Sequence, residues 1–170
     1  EFHDSSRSKI CLLNNNTFFD KQWKETFEEI WDANLTVIDE NGYDVRLLDD
    51  EKAEALKRTK FEGKLHFAWD RMQDESAIIK GLKLLKKYHI RGSFYVLINY
   101  DTTEAEDIHR CQVLKDYGFD FYIMPYGHTW QGMMFKRFVD TFMWRKYKTI
   151  AEAWDNYEPR KNVVKLERFA

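Results

Sequence analysis

Three side chains carry the chemistry this sequence offers most plainly: Asp44, Arg46 and Asp70. Asp44 and Arg46 lie in Gly42-Tyr-Asp-Val-Arg-Leu-Leu48, where they alternate with Tyr43, Val45 and Leu47. That alternation predicts a strand over 43–47 with both polar groups on one side of it. A carboxylate and a guanidinium buried together must be paired, with each other or with a ligand. Asp70 closes the apolar run Leu65-His-Phe-Ala-Trp69. A lone carboxylate ending a buried strand is costly unless something satisfies it, and its structural alternative is to cap the next helix. The remaining polar strand ends are Asn14, Asn15 and Asn16 after Ile10–Leu13, Asn99, Tyr100 and Asp101 after Phe94–Ile98, and Tyr126 and His128 after Phe119–Met124. In a parallel sheet all such ends gather at one rim, where ligand crevices form.

Other chemistries find little support. None of the five histidines shows a His-x-x-x-His or HExxH spacing. Cys11 and Cys111 lie a hundred residues apart and form neither a CxxC knuckle nor a disulfide framework, so both read as reduced thiols. With 27 basic and 29 acidic residues the formal charge is -2, which gives no footprint for nucleic acid or an anionic membrane. The aromatic C-terminal stretch from Phe135 to Tyr157 lacks a basic patch and reads as core packing, not as a stacking platform.

The elements that must position these groups follow from periodicity. Trp23, Phe27, Ile30 and Trp31 share one face of a helix capped by Asp20 and running to Ala33. Leu35–Ile38 reads as a strand, and Asp49 or Asp50 caps a helix from Glu51 to about Lys60. Leu65–Trp69 is a strand. Asp74 or Ser76 caps a helix to Tyr88, and Phe94–Ile98 is the next strand. Thr102 or Thr103 opens a helix to Asp116 that Gly118 ends, and Phe119–Met124 is the last strand. Helical, aromatic-rich patterns follow over 133–146 and 149–157. Short apolar strands alternating with amphipathic helices imply a parallel α/β fold with right-handed crossovers. The expected fold is an incomplete parallel (β/α) barrel of four to five strands with a helical C-terminal extension. The expected division is a polar lead-in over 1–8, the barrel over 9–132, and the extension and tail over 133–170. Hydrophobic residues at 44% suit one core, and no apolar run approaches a membrane span, so a soluble cytoplasmic protein is the default.

Together these pieces resemble the C-terminal two-thirds of a radical S-adenosylmethionine (SAM) enzyme, over residues 9–157. Lys9-Ile-Cys-Leu-Leu-Asn-Asn-Asn16 resembles the superfamily's third-strand motif, with Asn14 where Asp is usual. Gly42-Tyr-Asp-Val-Arg46 is similar to its fourth-strand G-x-D-x-R stretch, and Leu65–Asp70 to its acid-ended fifth strand. Ile90–Ile98 followed by Thr102–Asp107 resembles the sixth. The later stretch from Phe121 to Tyr126, with the Trp-containing helix, is similar to the C-terminal extension of some members.

The resemblance implies a partial (β/α)6 barrel with SAM across the strand ends. Asp44 and Arg46 would face the cavity with Asp70 beside them. The backbone of Leu97, Ile98 and Asn99 would approach the adenine, and Asn14, Asn15 and Asn16 would contact SAM or substrate. The family's C-x-x-x-C-x-x-C loop, which holds the 4Fe-4S cluster that cleaves SAM, has no counterpart here. The cluster would belong to an intact parent, with this chain inactive alone, either a piece of a longer protein or a degenerate relative. The first two strands would then be supplied by a missing N-terminal segment, or the open sheet edge covered by self-association. Two further readings stand beside this one. One is a non-catalytic α/β scaffold or partner-binding module. The other is an unrelated α/β enzyme using Asp44, Arg46 and Asp70 on a phosphate- or carboxylate-bearing substrate.

Overall fold

The computed structural model describes residues 7–13, 16–39 and 41–159. Strand β1 (Lys9–Leu12) leads through a 3-10 turn (Thr17–Phe19) to helix α1 (Trp23–Asp32) and β2 (Thr36–Asp39). A second 3-10 turn (Val45–Leu47) leads to α2 (Asp50–Arg58) and β3 (Lys60–Glu62). Then come β4 (Leu65–Trp69), α3 (Glu75–Lys87), β5 (Gly92–Ile98), α4 (Glu104–Asp116), β6 (Asp120–Pro125), α5 (Trp130–Asp140) and α6 (Ile150–Asp155). The strands form two parallel three-stranded sheets, ordered β1-β2-β3 and β4-β5-β6.

Period-two alternation decides which sheet face is buried. In the second sheet Phe67, Trp69, Phe94, Val96, Ile98, Phe121 and Ile123 are each at most 2% exposed. They pack in one cluster with Ile78, Leu82 and Leu85 of α3, Leu114 of α4, and Phe135, Phe138 and Val139 of α5. Each such side chain contributes about 1.5–3 kcal/mol by leaving water. Trp144, Ile150 and Ala153 belong to the same cluster, so the aromatic C-terminal segment is core, as its composition indicated. The opposite face stays open, with Tyr95 39% and Met124 50% exposed. In the first sheet Ile10, Leu12, Val37 and Phe61 lie against Ile30 and Trp31 of α1.

The segment 42–48 joins the two sheets. The Tyr43 N–H donates to the His66 carbonyl at 2.9 Å, placing this stretch beside β4. Gly42 has φ +76°, and a Cβ there would stand 2.6 Å from the His66 carbonyl oxygen, so only glycine fits both the turn and the approach. On the other side Gly81 lets α3 close on Val45, whose carbonyl oxygen would lie 2.5 Å from an added Cβ.

Several expectations need correction. Residues 43–47 are not a strand. The Asp44 carboxylate accepts the Arg46 N–H and turns the chain into a 3-10 helix, a local bond that replaces ladder pairing. Asp44 and Arg46 therefore come together on a turn, not on one face of a strand. The described residues hold six strands, not four or five. The extra one, β3, carries a single apolar residue, Phe61, too short a signal for periodicity to register. Helix α1 starts three residues after Asp20, whose carboxylate instead accepts the Gln22 N–H. Asp74 precedes α3 but makes no cap bond. Asp49 does cap α2, and Thr103 forms a full capping box with Glu106 on α4.

Candidate functional site

The C-terminal rim holds a cleft of about 440 Å³ that brings together Asn16, Asp44, Arg46, His66, Asp70 and Tyr95. The turn supplies one wall and β4, from His66 near its start to Asp70 just past its end, the other, held together by the Tyr43–His66 bond. Arg46 organises the polar wall. Its Nε and Nη2 donate to the two Asp44 oxygens at 2.9 and 2.7 Å, and its Nη1 donates to Asp74 at 2.9 Å. The Arg46 side chain is 46% exposed, against 19% for Asp44 and 22% for Asp74. Burial pushes the Asp44 carboxyl upward, but the hydrogen bonds and charge of Arg46 overcome it and hold it below the usual carboxylate range. The same bonds, with Asp44 foremost, raise Arg46.

Asp70 differs. Among the described residues its carboxylate makes no hydrogen bond or ion pair. The residue as a whole is exposed, yet burial of its carboxyl end is the largest influence on its ionisation and pushes it up, against the pull of Arg110, Arg46 and Arg71. A carboxylate without a partner at a cleft mouth is available to a cationic or N–H-bearing ligand. Beside it, on the open face of the sheet, His66 lies against Tyr95 at 5.5 Å between ring centroids, and Tyr95 against Tyr122 at 6.1 Å.

The remaining expected residues divide. Asn16 lines the cleft, and its Oδ1 is buried without a hydrogen-bond partner, whereas Asn14 and Asn15 lie outside the described residues. Leu97, Ile98 and Asn99 are not on the cleft. The Leu97 carbonyl accepts from Arg110 at 2.6 Å, and the Ile98 carbonyl accepts from the Tyr126 N–H at 2.8 Å. The Ile98 side chain faces the core, 1% exposed. Asn99 adopts a left-handed φ of 63°, donates to Thr129 Oγ1 at 2.7 Å, and lines a separate cavity of about 240 Å³ with Thr102 and Asp107. Arg110, which touches both strand ends, escaped sequence reasoning. The signal was present: Asp107, Arg110, Cys111 and Leu114 share i, i+3, i+4, i+7 spacing, which sets an acid and a base on a buried stripe.

The thiols and acids show no metal-holding arrangement: no group of three His, Cys, Asp or Glu side chains among the described residues could hold an ion. Cys11 is exposed on β1, while Cys111 is buried in α4 with its thiol pushed far up by burial. Among the described residues no helix is long and apolar enough to cross a membrane.

No protein-family model, curated protein or solved structure matches this chain. Its class is therefore defined by its own geometry: a parallel, mixed α/β protein with a polar cleft at the carboxyl ends of its strands.

Proposed function

We propose that this chain forms the SAM-side cavity of a radical SAM type of partial barrel. One observation carries the reading. The Gly42-x-Asp44-x-Arg46 turn and the acid ending β4 converge on one strand-end cleft, although 26 positions separate residue 44 from residue 70. The lining fits a zwitterionic nucleoside such as SAM, since a carboxylate with no partner among the described residues stands near the exposed Tyr95 ring and the half-buried His66. It does not fit the 4Fe-4S cluster, which needs three thiolates. Cys11 and Cys111 are too few, and one of them is buried in the core. A cluster beside this cavity would be held by thiolates outside these residues, and no chemical step is assigned to this chain.

Titration with SAM, followed by amide NMR, tests the proposal. Binding near or below about 1 mM should move the Gly42, Asp44, Arg46 and Asp70 signals. Unmoved signals at saturating SAM would sink it. Incubated with iron, sulfide and reductant, the chain should cleave no SAM above background.

A second reading, a scaffold that binds a partner or a second copy, rests on the outer edges of β1 and β6, neither of which pairs with another strand among the described residues. The third, an Asp/Arg enzyme acting on phosphate or carboxylate substrates, is disfavoured because Arg46 is already engaged by Asp44 and Asp74.

A further inference from the structure

Helix α4 buries a charge pair beneath the strand ends. Arg110 is fully buried and Asp107 is 3% exposed. Arg110 Nη1 donates to the Trp69 carbonyl at 2.7 Å and Nη2 to the Leu97 carbonyl at 2.6 Å. Nη2 also donates to Asp107 Oδ1 at 2.5 Å, and the Thr102 hydroxyl donates to that same oxygen at 2.7 Å. The chain from Thr102 through Asp107 to Arg110 thus runs from the loop after β5 to the carbonyls of two neighbouring strands.

The position of those carbonyls gives the arrangement its meaning. The β4–β5 register runs from Leu65 opposite Gly92 to Trp69 opposite Val96, and there it stops. Beyond it β5 continues beside β6 alone, while the chain after β4 turns away toward α3. Arg110 grips the last carbonyl of β4 and the first carbonyl of β5 past the end of the register, so its guanidinium stands in for the next rung. The planar fork of arginine suits this task, because separate N–H groups reach two carbonyls and a carboxylate at fixed angles. An apolar side chain would fill the same volume without spanning the gap.

We infer that Arg110 is a positioning residue: held by Asp107 and Thr102, it ties β4 to β5 from beneath and fixes the rim on which Asp70 and Asn99 stand. The inference rests on the proposed SAM cavity only for what Asp70 serves; the tie itself is independent of any ligand. The charged groups acting on Asp70 are Arg110 from α4, Arg46 from the 42–48 turn, its neighbour Arg71, and Asp74 at the start of α3. Of the groups favouring its ionised form Arg110 is foremost, so the tie also bears on the charge of the rim.

The test uses the ligand-free chain, with unfolding midpoint, amide NMR and a carbon-detected titration of the Asp70 carboxyl as readouts. The double variant Asp107→Leu with Arg110→Met removes the pair without leaving a buried charge. The expected result is a folded protein in which the Asp70 midpoint rises and the Asp70 and Asn99 amides shift. Arg110→Lys keeps the charge but loses the fork, so it should shift the same amides while moving the midpoint less. A folded double variant with the Asp70 midpoint and rim amides unchanged would overturn the inference, even if stability fell. Should the double variant fail to fold, Thr102→Val decides. It leaves both charges in place and removes the Thr102 bond to Asp107 along with the long 3.5 Å contact that Arg110 Nη2 makes to the same hydroxyl; it must still shift the Asp70 and Asn99 amides, and unchanged amides would overturn the inference. A chain that fails to bind SAM but passes these tests would remove the proposed function and leave the positioning role intact.

Discussion

Asp44 and Asp70 stand in one cleft and should respond to acid in opposite ways. Arg46 holds Asp44 below its ordinary 3.8, so its contribution to stability is present above that pH and is lost as pH falls through the lowered folded value. Asp44→Asn should therefore destabilise the protein by about 1 kcal/mol at pH 7, since solvent at half-exposed Arg46 screens the pair. The gap to the parent should close as pH drops below 3.8. Asp70 is pushed up by burial, so its ionised form costs stability. That cost is absent below 3.8, grows as pH rises to the folded value, and is constant above it. Asp70→Asn should raise the urea midpoint at pH 7 and lose its advantage in acid. Urea titrations of both variants across pH check the two signs, and parallel profiles would contradict the assignment. At this scale the sequence exposed the residue types that come to line the cleft. The pairing of Asp44 with Arg46 was one of its two stated outcomes, whereas their joint contact with Asp74 depends on how the start of α3 meets the turn, which no local pattern encodes.

Among the elements, the 42–48 segment shows where sequence patterning reaches its limit. Alternation of Tyr43, Val45 and Leu47 with polar residues satisfies a strand template, but the same spacing lets the Asp44 carboxylate reach the Arg46 N–H, and the local bond prevails. Capping signals fared better at Asp49 and Thr103, because a cap needs only residues within one turn and no distant partner. The placement of this segment depends on Gly42, where a side chain would face both a positive φ of 76° and a carbonyl oxygen at 2.6 Å. Gly42→Ala should cost about 1–3 kcal/mol in urea unfolding and shift the His66 and Tyr43 amides, since the strain falls on the bond between the sheets. Gly63→Ala, where φ is +95° but nothing lies within 4 Å of the added carbon, isolates the conformational part. If the two variants lose equal stability, close approach at His66 contributes nothing.

At the scale of the whole molecule, the alternation of strand and helix was legible because each helix buries one stripe and each strand one face, and both periods survive in the sequence. The division into two sheets was not, since it arises where Gly63 and Lys64 separate β3 from β4 and the 42–48 turn fills the join. The result leaves one face of the second sheet in water. Tyr95 and Met124 lie there, and beyond the strand ends Tyr100 packs against Tyr126 at 4.8 Å between centroids while both stay more than half exposed. Apolar surface of this kind drives association when a matching surface is available, and unpaired strand edges add a backbone route to the same end. Sedimentation should therefore show mass rising with concentration, and Met124→Lys should return the chain to monomer without lowering its urea midpoint, because residue 124 is half exposed and makes no core contact that a lysine would break. Association that persists unchanged in Met124→Lys would assign it to the strand edges. A parent chain that stays monomeric at every concentration would show that neither the open face nor the edges attract a second copy, and would leave the strand-end cleft as the surface on which function must be sought.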